Sequence, residues 1–295
     1  MRKSNELRRA RPLLGTLVEV RAAGAEPARL ASAVDTAFAE VARVHERLSF
    51  HSEASELTRI NREAHRRAVA VSSETRFVLA QALALSEASG GLFDVTVAPR
   101  LVRWGYLPAQ PGSPPPDRRA CYRDIELLPQ GRVRFCRPLQ IDLGGIAKGF
   151  AVDRAVEALR AAGVPAGVVN AGGDLRVFGP RSERVHVRAP AHPALLLTLT
   201  ELRNQAVATS SAYASRRCLR GRWVSPFIDP LRRRPCLRAW SVSVKGETAL
   251  LADGLTKVLL LGGPEALPTL RGFGAEGFIV SGLGRVLASE PRHAA

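Results

Sequence analysis

An acidic and a basic residue stand four positions apart in the apolar segment LLADGLTKVLLLGG, residues 250–263. At i and i+4 of a helix, Asp253 and Lys257 share one face, where opposite charges can pair. A carboxylate is also the hard oxygen ligand that magnesium prefers, whereas an ammonium group has no lone pair to give a metal. The spacing therefore predicts either an ordinary ion pair or a cation or phosphate site that Lys257 has altered.

A second candidate for chemistry is the glycine-rich segment IDLGGIAKGFAVD, residues 141–153. A predicted strand delivers Asp142 to a Gly-Gly turn, and a helix is predicted to begin near Ala147. The free N–H groups of a helix N-terminus suit a phosphate, and Lys148 would add a positive charge there. The other interpretation is a tight strand-to-helix connection capped by Asp142. The residues alone do not decide between the two.

Two further segments are rich in Gly, Asp and aromatic residues. In VVNAGGDL (168–175), an Asn and an Asp flank a Gly pair at the end of an apolar strand, which is typical of a turn. In SGGLFDVTVAPRLVRWGY (89–106), Phe93 and Asp94 could form an apolar wall with one acid for a planar ring or a ribose. Taken alone, that segment is better explained as a hydrophobic loop packed on the core.

The elements that must position these segments follow from hydrophobic periodicity. Long amphipathic patterns predict helices, and alternating patterns bounded by Gly and Pro predict strands. Helices followed by strand-rich segments indicate a mixed α+β fold. Helices are predicted at 28–50, 52–61, 72–91, 147–163 and around Asp253; strands at 15–22, 124–128, 132–136, 139–143, 167–179, 184–189 and 195–200; hairpins within 206–245 and 277–289; and a Pro-rich loop at 108–119.

Composition limits the classes of function. Apolar residues make up 46% of the 295 residues, and the formal net charge is +16. This charge could favour nucleic acid, but only 5% of residues are aromatic and no nucleic-acid motif accompanies the charge. The four cysteines form no CxxC pair, and no run of about 18 apolar residues predicts a membrane span. We therefore expect a cytoplasmic protein that binds no nucleic acid.

The order of the motifs along the chain resembles the ApbE family, the FAD:protein FMN transferases. Each motif is weak alone, but their succession covers nearly the whole chain. The matching segments are PLLGTLVEV, SEASELTRIN, GGLFDVTVAPRLVRWGY, IDLGGIAKGFAVD, VVNAGGDL, VATSSAY, FIDP and LADGLTKVLLLGG. The resemblance implies one ApbE-like domain over residues 12–290, with two lobes of helices packed on a mainly antiparallel sheet. We expect 1–11 and 291–295 to be flexible basic termini.

The resemblance also implies a reaction and its site. Members of the family bind FAD with magnesium, cleave its pyrophosphate, attach FMN to a Thr or Ser of an acceptor protein, and release AMP. The roles of the family's residues are carried over to the matching motifs of this sequence, which makes Asp253 the catalytic carboxylate. The implied cofactor-binding residues are Leu92, Phe93, Asp94, Asp142, Lys148 and Phe227, and the implied metal ligands are the Gly145 carbonyl, Asp253 and Thr256.

Two positions depart from the family's pattern where chemistry is concerned. The family usually has a Thr four residues after the metal-binding Asp, and here Lys257 stands there, with Thr256 one place earlier. Lys257 could replace the metal as a built-in cation, or Thr256 could supply the ligand while Lys257 turns aside. Pro226 stands where the family commonly has a His that can assist proton transfer. The sequence therefore predicts an FMN transferase, with a catalytically weak or silent FAD-binding protein as the alternative.

Overall fold

The computed structural model describes residues 5–24, 26–190, 192–213, 215–282 and 284–289. Along these residues the elements follow in chain order. They are β1 (Glu6–Leu13), β2 (Thr16–Ala23), α1 (Pro27–Leu48), α2 (Glu56–Glu63), β3 (Val69–Ala70), α3 (Ser73–Ala88), α4 (Ala98–Arg103), β4 (Ile125–Leu128), β5 (Arg132–Phe135), α5 (Ala147–Ala161), β6 (Ala166–Ala171), β7 (Asp174–Phe178), β8 (Glu183–Ala189), β9 (His192–Leu202), β10 (Ala206–Ser211), β11 (Arg217–Leu219), β12 (Arg222–Val224), β13 (Ile228–Asp229), β14 (Arg234–Pro235), β15 (Ser241–Gly246), α6 (Ala249–Gly262), α7 (Leu267–Gly272), β16 (Glu276–Val280) and β17 (Val286–Ser289).

The main sheet of the described residues is antiparallel and has eight strands, in the order β1-β2-β6-β7-β10-β15-β16-β17. Buried and exposed side chains alternate along β2. Val18, Val20 and Ala22 are fully buried, whereas Leu17 is largely exposed. Since successive side chains in a strand point to opposite faces, one face of β2 supports the core.

Helices α1, α5 and α6 pack side by side over this sheet, with α5 in contact with both of the others and α6 against β10 and β15. Their buried residues belong to one continuous hydrophobic core that also includes α3 and β2. The predicted α+β class, with helices on a mainly antiparallel sheet, is thereby confirmed. None of the helices in the described residues is long and apolar enough to cross a lipid bilayer.

Two sequence-based expectations about this fold are wrong. The strand predicted at 139–143 is an irregular segment. Its backbone N–H groups are bonded elsewhere: Ile141 donates to the side-chain oxygen of Asn61 and Asp142 to the carbonyl of Val95, both over 2.8 Å. Residues 6–11, expected to belong to a flexible N-terminus, instead begin the sheet as part of β1, which is paired along its length with β2. Residues 291–295 lie outside the described part of the chain.

Candidate functional site

A cleft of about 560 Å³ brings together the residues predicted to bind FAD. Loops before α4, before α5 and before β13 contribute to its wall, together with the end of β10 and one side of α6. The predicted residues on this wall are Leu92, Phe93, Asp94, Asp142, Gly145, Lys148 and Phe227. The other two, Asp253 and Thr256, are fully buried and do not line the cleft.

The loop that carries Phe93 and Asp94 is ordered by its own polar groups. Gly90 and Gly91 both adopt positive φ, which lets the chain reverse after α3. The Ser89 hydroxyl then accepts a hydrogen bond from the Phe93 N–H (3.1 Å). The Asp94 carboxylate accepts from the Thr96 N–H over 2.8 Å, and burial raises its pKa. Phe93 therefore faces the cleft from a loop with fixed geometry.

Asp142 holds the glycine turn before α5. Its carboxylate accepts a hydrogen bond from the Gly144 N–H (3.1 Å), and burial raises its pKa. Ile146, and not Asp142, occupies the N-cap position of α5, and its side chain makes no cap hydrogen bond. Asp142 is therefore not the helix cap that one interpretation of the sequence assigned. It shapes the turn at the N-terminal end of α5 instead.

Lys148, in the first turn of α5, forms an ion pair with the buried carboxylate of Asp174 at the start of β7. Burial and the negative charge of Asp253 raise the pKa of Asp174 to about 6. Burial alone would lower the Lys148 pKa, but the carboxylates of Asp253 and Asp174 outweigh it and raise that pKa. Lys148 is thus a protonated ammonium group on the wall of the cleft.

Lys257 and Asp253 form the i,i+4 ion pair that their spacing predicts. The Lys257 ammonium contacts the carboxylate of Asp253 and also donates to the Asp253 carbonyl oxygen over 3.0 Å. The second carboxylate oxygen accepts from the Gly149 N–H at 3.1 Å, in the first turn of α5. The Asp253 side chain has no exposed surface, whereas that of Lys257 is 16% exposed and lines the cleft.

Two of the three predicted metal ligands, Asp253 and Thr256, are already engaged with protein groups. The Thr256 hydroxyl donates to the Asp253 carbonyl oxygen and is hydrogen bonded to Ser210, each over 2.7 Å. The Lys257 side chain passes between Gly145 and Asp253, since a Cβ built on Gly145 would lie 3.6 Å from the Lys257 Cε. An ammonium group repels a dication and cannot ligate it. The residues, as placed, do not fit a magnesium ion between Gly145, Asp253 and Thr256.

Hydrogen bonds from backbone N–H groups to two aspartate side chains link α5 and α6 and fix this arrangement. Asp253 on α6 accepts the N–H of Gly149 on α5, and Asp153 on α5 accepts the N–H groups of Ala249 and Leu250 at the start of α6, both over 2.9 Å. Such contacts satisfy the free N–H groups of helix N-termini. Both helix starts are therefore locked against each other beneath the cleft.

Sequence reasoning missed two contributors. It assigned Asp174 to a turn, and Ser210 received no role. Asp174 forms an ion pair with Lys148. Ser210 lines the cleft and is hydrogen bonded to Thr256. The available indication for Asp174 was weak, because an acid beside glycines is also typical of a turn. Pro226 and Phe227, which precede β13, also line the cleft, and Phe227 is half-buried.

Comparisons with known proteins identify the family of this chain. A family model described as the ApbE family matches residues 14–275. The FAD:protein FMN transferase of Vibrio cholerae is 31% identical over 236 residues, which are 75% of this chain and 71% of that protein. A protein of the same name from Rhodobacter capsulatus is 30% identical over 88% of this chain, which spans about half (52%) of that relative.

Solved structures give the same result. The ApbE protein of Thermotoga maritima superposes with a TM-score of 0.85 at 27% identity, covering 97% of both chains. The flavinyl transferase ApbE of Pseudomonas stutzeri, in its apo form, gives a TM-score of 0.79 at 25% identity over 94% of this chain and 92% of that one. Together with the family model, which spans most of the sequence, these similarities show that the chain belongs to the ApbE family.

Proposed function

We propose that this protein transfers the FMN part of FAD to a Thr or Ser hydroxyl of an acceptor protein and releases AMP. The observation that carries the proposal is the single cleft in which sequence-distant segments place the predicted FAD-binding residues together. Membership of the ApbE family supports it, because the V. cholerae and R. capsulatus relatives are both named FAD:protein FMN transferase.

The two kinds of wall in the cleft suit the two parts of FAD. Phe93 and Phe227 give apolar surface that suits a flat flavin or adenine ring. Lys148 and Lys257 line the same cleft and give positive charge that suits a diphosphate. Leu92, Asp94 and Asp142 complete the proposed FAD site. FAD is therefore the substrate that this combination favours.

In the proposed reaction the hydroxyl oxygen of the acceptor attacks the phosphorus on the FMN side of the diphosphate. The bond from that phosphorus to the bridging oxygen breaks, and AMP leaves with its electron pair. The hydroxyl proton passes to water. Positive charge fixed beside the phosphates stabilises the charge that develops in such a transfer. With water as the acceptor, the same steps give FMN and AMP.

The direct test is to incubate the purified protein with FAD and follow AMP by chromatography, with FMN as the control substrate that cannot yield AMP. Flavin fluorescence that stays with a second protein through a denaturing gel would identify an acceptor. We expect AMP from FAD. Saturating FAD binding without AMP, with and without a lysate as the acceptor source, would contradict the transferase and favour the alternative FAD-binding protein. The predicted cytoplasmic location is tested separately by cell fractionation.

A further inference from the structure

We infer that Lys257 is the resident cation of the diphosphate site, so that FAD binding and cleavage need no added divalent metal. This inference rests on the proposed function and specifies how its site carries positive charge. The observation behind it is the ion pair of Lys257 with Asp253 at the border of the cleft.

The first argument is occupancy. The Lys257 ammonium contacts both the carboxylate and the backbone carbonyl of Asp253, and its methylene chain lies against Gly145. It therefore occupies the position beside the Asp253 carboxylate that a metal ion would take. A dication entering this space would have to displace a cation that is paired with a fully buried carboxylate. Leaving that ammonium unpaired would be strongly unfavourable.

The second argument is that the remaining donor atoms are committed. The other carboxylate oxygen of Asp253 accepts the Gly149 N–H, and Thr256 is hydrogen bonded to both Ser210 and the Asp253 carbonyl. Thr256 therefore does not face the cleft as a free ligand, and Lys257 is not turned aside. Of the two interpretations left open by the sequence, the contacts favour the built-in cation.

The third argument is access to a ligand. An ammonium group has three N–H donors, and the contacts with Asp253 use two of them. The Lys257 side chain keeps some exposed surface and shares the cleft wall with Lys148, Gly144 and Asp142. The third N–H is the donor that a phosphate oxygen would take, and a charge-assisted hydrogen bond of this kind is among the stronger ones.

The test measures FAD affinity by flavin fluorescence in chelator and in millimolar magnesium, with riboflavin, which has no phosphate, as the second ligand. For the wild-type protein we expect the same FAD dissociation constant in both solutions. Lys257→Met should weaken FAD binding by roughly tenfold or more, which corresponds to loss of one good polar contact, and should leave riboflavin binding unchanged. Lys257→Thr should bind FAD tightly only when magnesium is present.

Two controls address folding. Lys245→Met removes a lysine that pairs with Glu276 away from the cleft, and should change neither affinity. In the double variant Asp253→Asn with Lys257→Met, neither position carries a buried charge without a partner. The side chain at position 253 still has an oxygen that can accept the Gly149 N–H. It should show the same loss of FAD affinity as Lys257→Met.

The outcomes separate this inference from the proposed function. Wild-type FAD binding or AMP release that requires magnesium would overturn the inference, as would unchanged FAD affinity in a folded Lys257→Met variant. Metal-independent FAD binding that depends on Lys257 would support it even if no AMP were formed, and in that case the transferase proposal alone would fail.

Discussion

The Asp253 carboxylate links two helices beneath the cleft, since it pairs with Lys257 on its own helix and accepts the N–H of Gly149 on α5. Asp253→Ala would leave the Lys257 ammonium without its carboxylate in a largely buried position. Removing one partner of a buried pair typically costs about 3–5 kcal/mol of unfolding free energy. We expect a loss of this size, measured by urea unfolding.

The matched control is Asp35→Ala, because Asp35 also pairs with cations, Arg9 and Arg11, but is half exposed. Exposed pairs contribute about 0–1 kcal/mol, so this variant should unfold almost as the wild type does. Equal losses in the two variants would show that Asp253 contributes no more to the unfolding free energy than an exposed aspartate does. Its predicted role would then rest on ligand binding alone.

The pKa of Asp174 gives a prediction for pH dependence. Burial and the charge of Asp253 raise it from 3.8 to about 6, against the lowering effect of Lys148. Between about pH 4 and pH 6 the folded protein thus binds more protons at this residue than the unfolded chain does. The contribution of Asp174 to the unfolding free energy therefore falls as pH rises through this window, by on the order of 2–3 kcal/mol, and is constant above it.

Asp174→Asn removes this titration. The difference in unfolding free energy, wild type minus variant, should decrease from pH 4 to pH 6 and then level off, as followed by urea unfolding at each pH. A difference that rises over this range would mean that the pKa of Asp174 is lowered in the folded protein.

At the residue scale, sequence spacing identified local pairs but not distant ones. The four-residue separation of Asp253 and Lys257 indicates that the two can pair, because helix geometry places both on one face. No such rule connects Lys148 with Asp174, since that ion pair depends on how α5 packs against β7. The choice between Thr256 and Lys257 at the cleft likewise required the positions of neighbouring helices and strands.

At the scale of elements, the site depends on the close approach of α5 and α6. A Cβ on Gly149 would lie 2.1 Å from the Ala249 carbonyl oxygen, where backbone cannot give way without moving a helix. Gly149→Ala should therefore separate the helix starts and weaken FAD binding. Overpacking of this kind typically costs about 1–3 kcal/mol or more, which urea unfolding and flavin fluorescence would both measure.

Gly272→Ala is the control for this prediction, because a Cβ there meets no atom within 4 Å and the residue ends a helix with ordinary φ. It should leave FAD affinity unchanged and stability equal or slightly higher, since Gly→Ala restricts the unfolded chain. If Gly149→Ala behaved like Gly272→Ala, the helix contact would not be what positions Asp253 and Lys148.

The helices and most strands were predictable, because periodicity and capping residues are local. Ser55 and Ser72 cap α2 and α3 with their hydroxyl groups, as their positions before those helices suggest. Residues 139–143 were predicted as a strand because apolar and polar residues alternate there. In the structure the N–H groups of this segment bond instead to Asn61 and to the loop at Val95. Partners so distant in sequence leave no local pattern.

At the scale of the whole molecule, the first and the last strands of the described residues belong to one sheet. β1 and β2 stand at one end of the strand order and β16 and β17 at the other, with the strands β6, β7, β10 and β15 between them. We therefore propose that the domain predicted from the sequence, residues 12–290, unfolds as one unit together with the rest of β1, residues 6–11. The fluorescence of the three tryptophans and far-UV circular dichroism should give coincident transitions, and two separate transitions would contradict a single domain.

FAD should stabilise that single unit, because the proposed site is built from segments that the chain brings together only when folded: the loop at Phe93, the start of α5, the segment at Phe227 and α6. A ligand that binds only the folded protein adds about 2.7 kcal/mol at one hundred times its dissociation constant, equivalent to a Tm increase of about 5 °C for a chain of this size.

Riboflavin at the same concentration should give a smaller increase, because it lacks the phosphates that Lys148 and Lys257 would hold. The Tm, followed by circular dichroism in chelator, checks both statements. Equal increases for the two ligands would show that the lysines contribute nothing to affinity, and no increase with FAD would show that this cleft does not bind it.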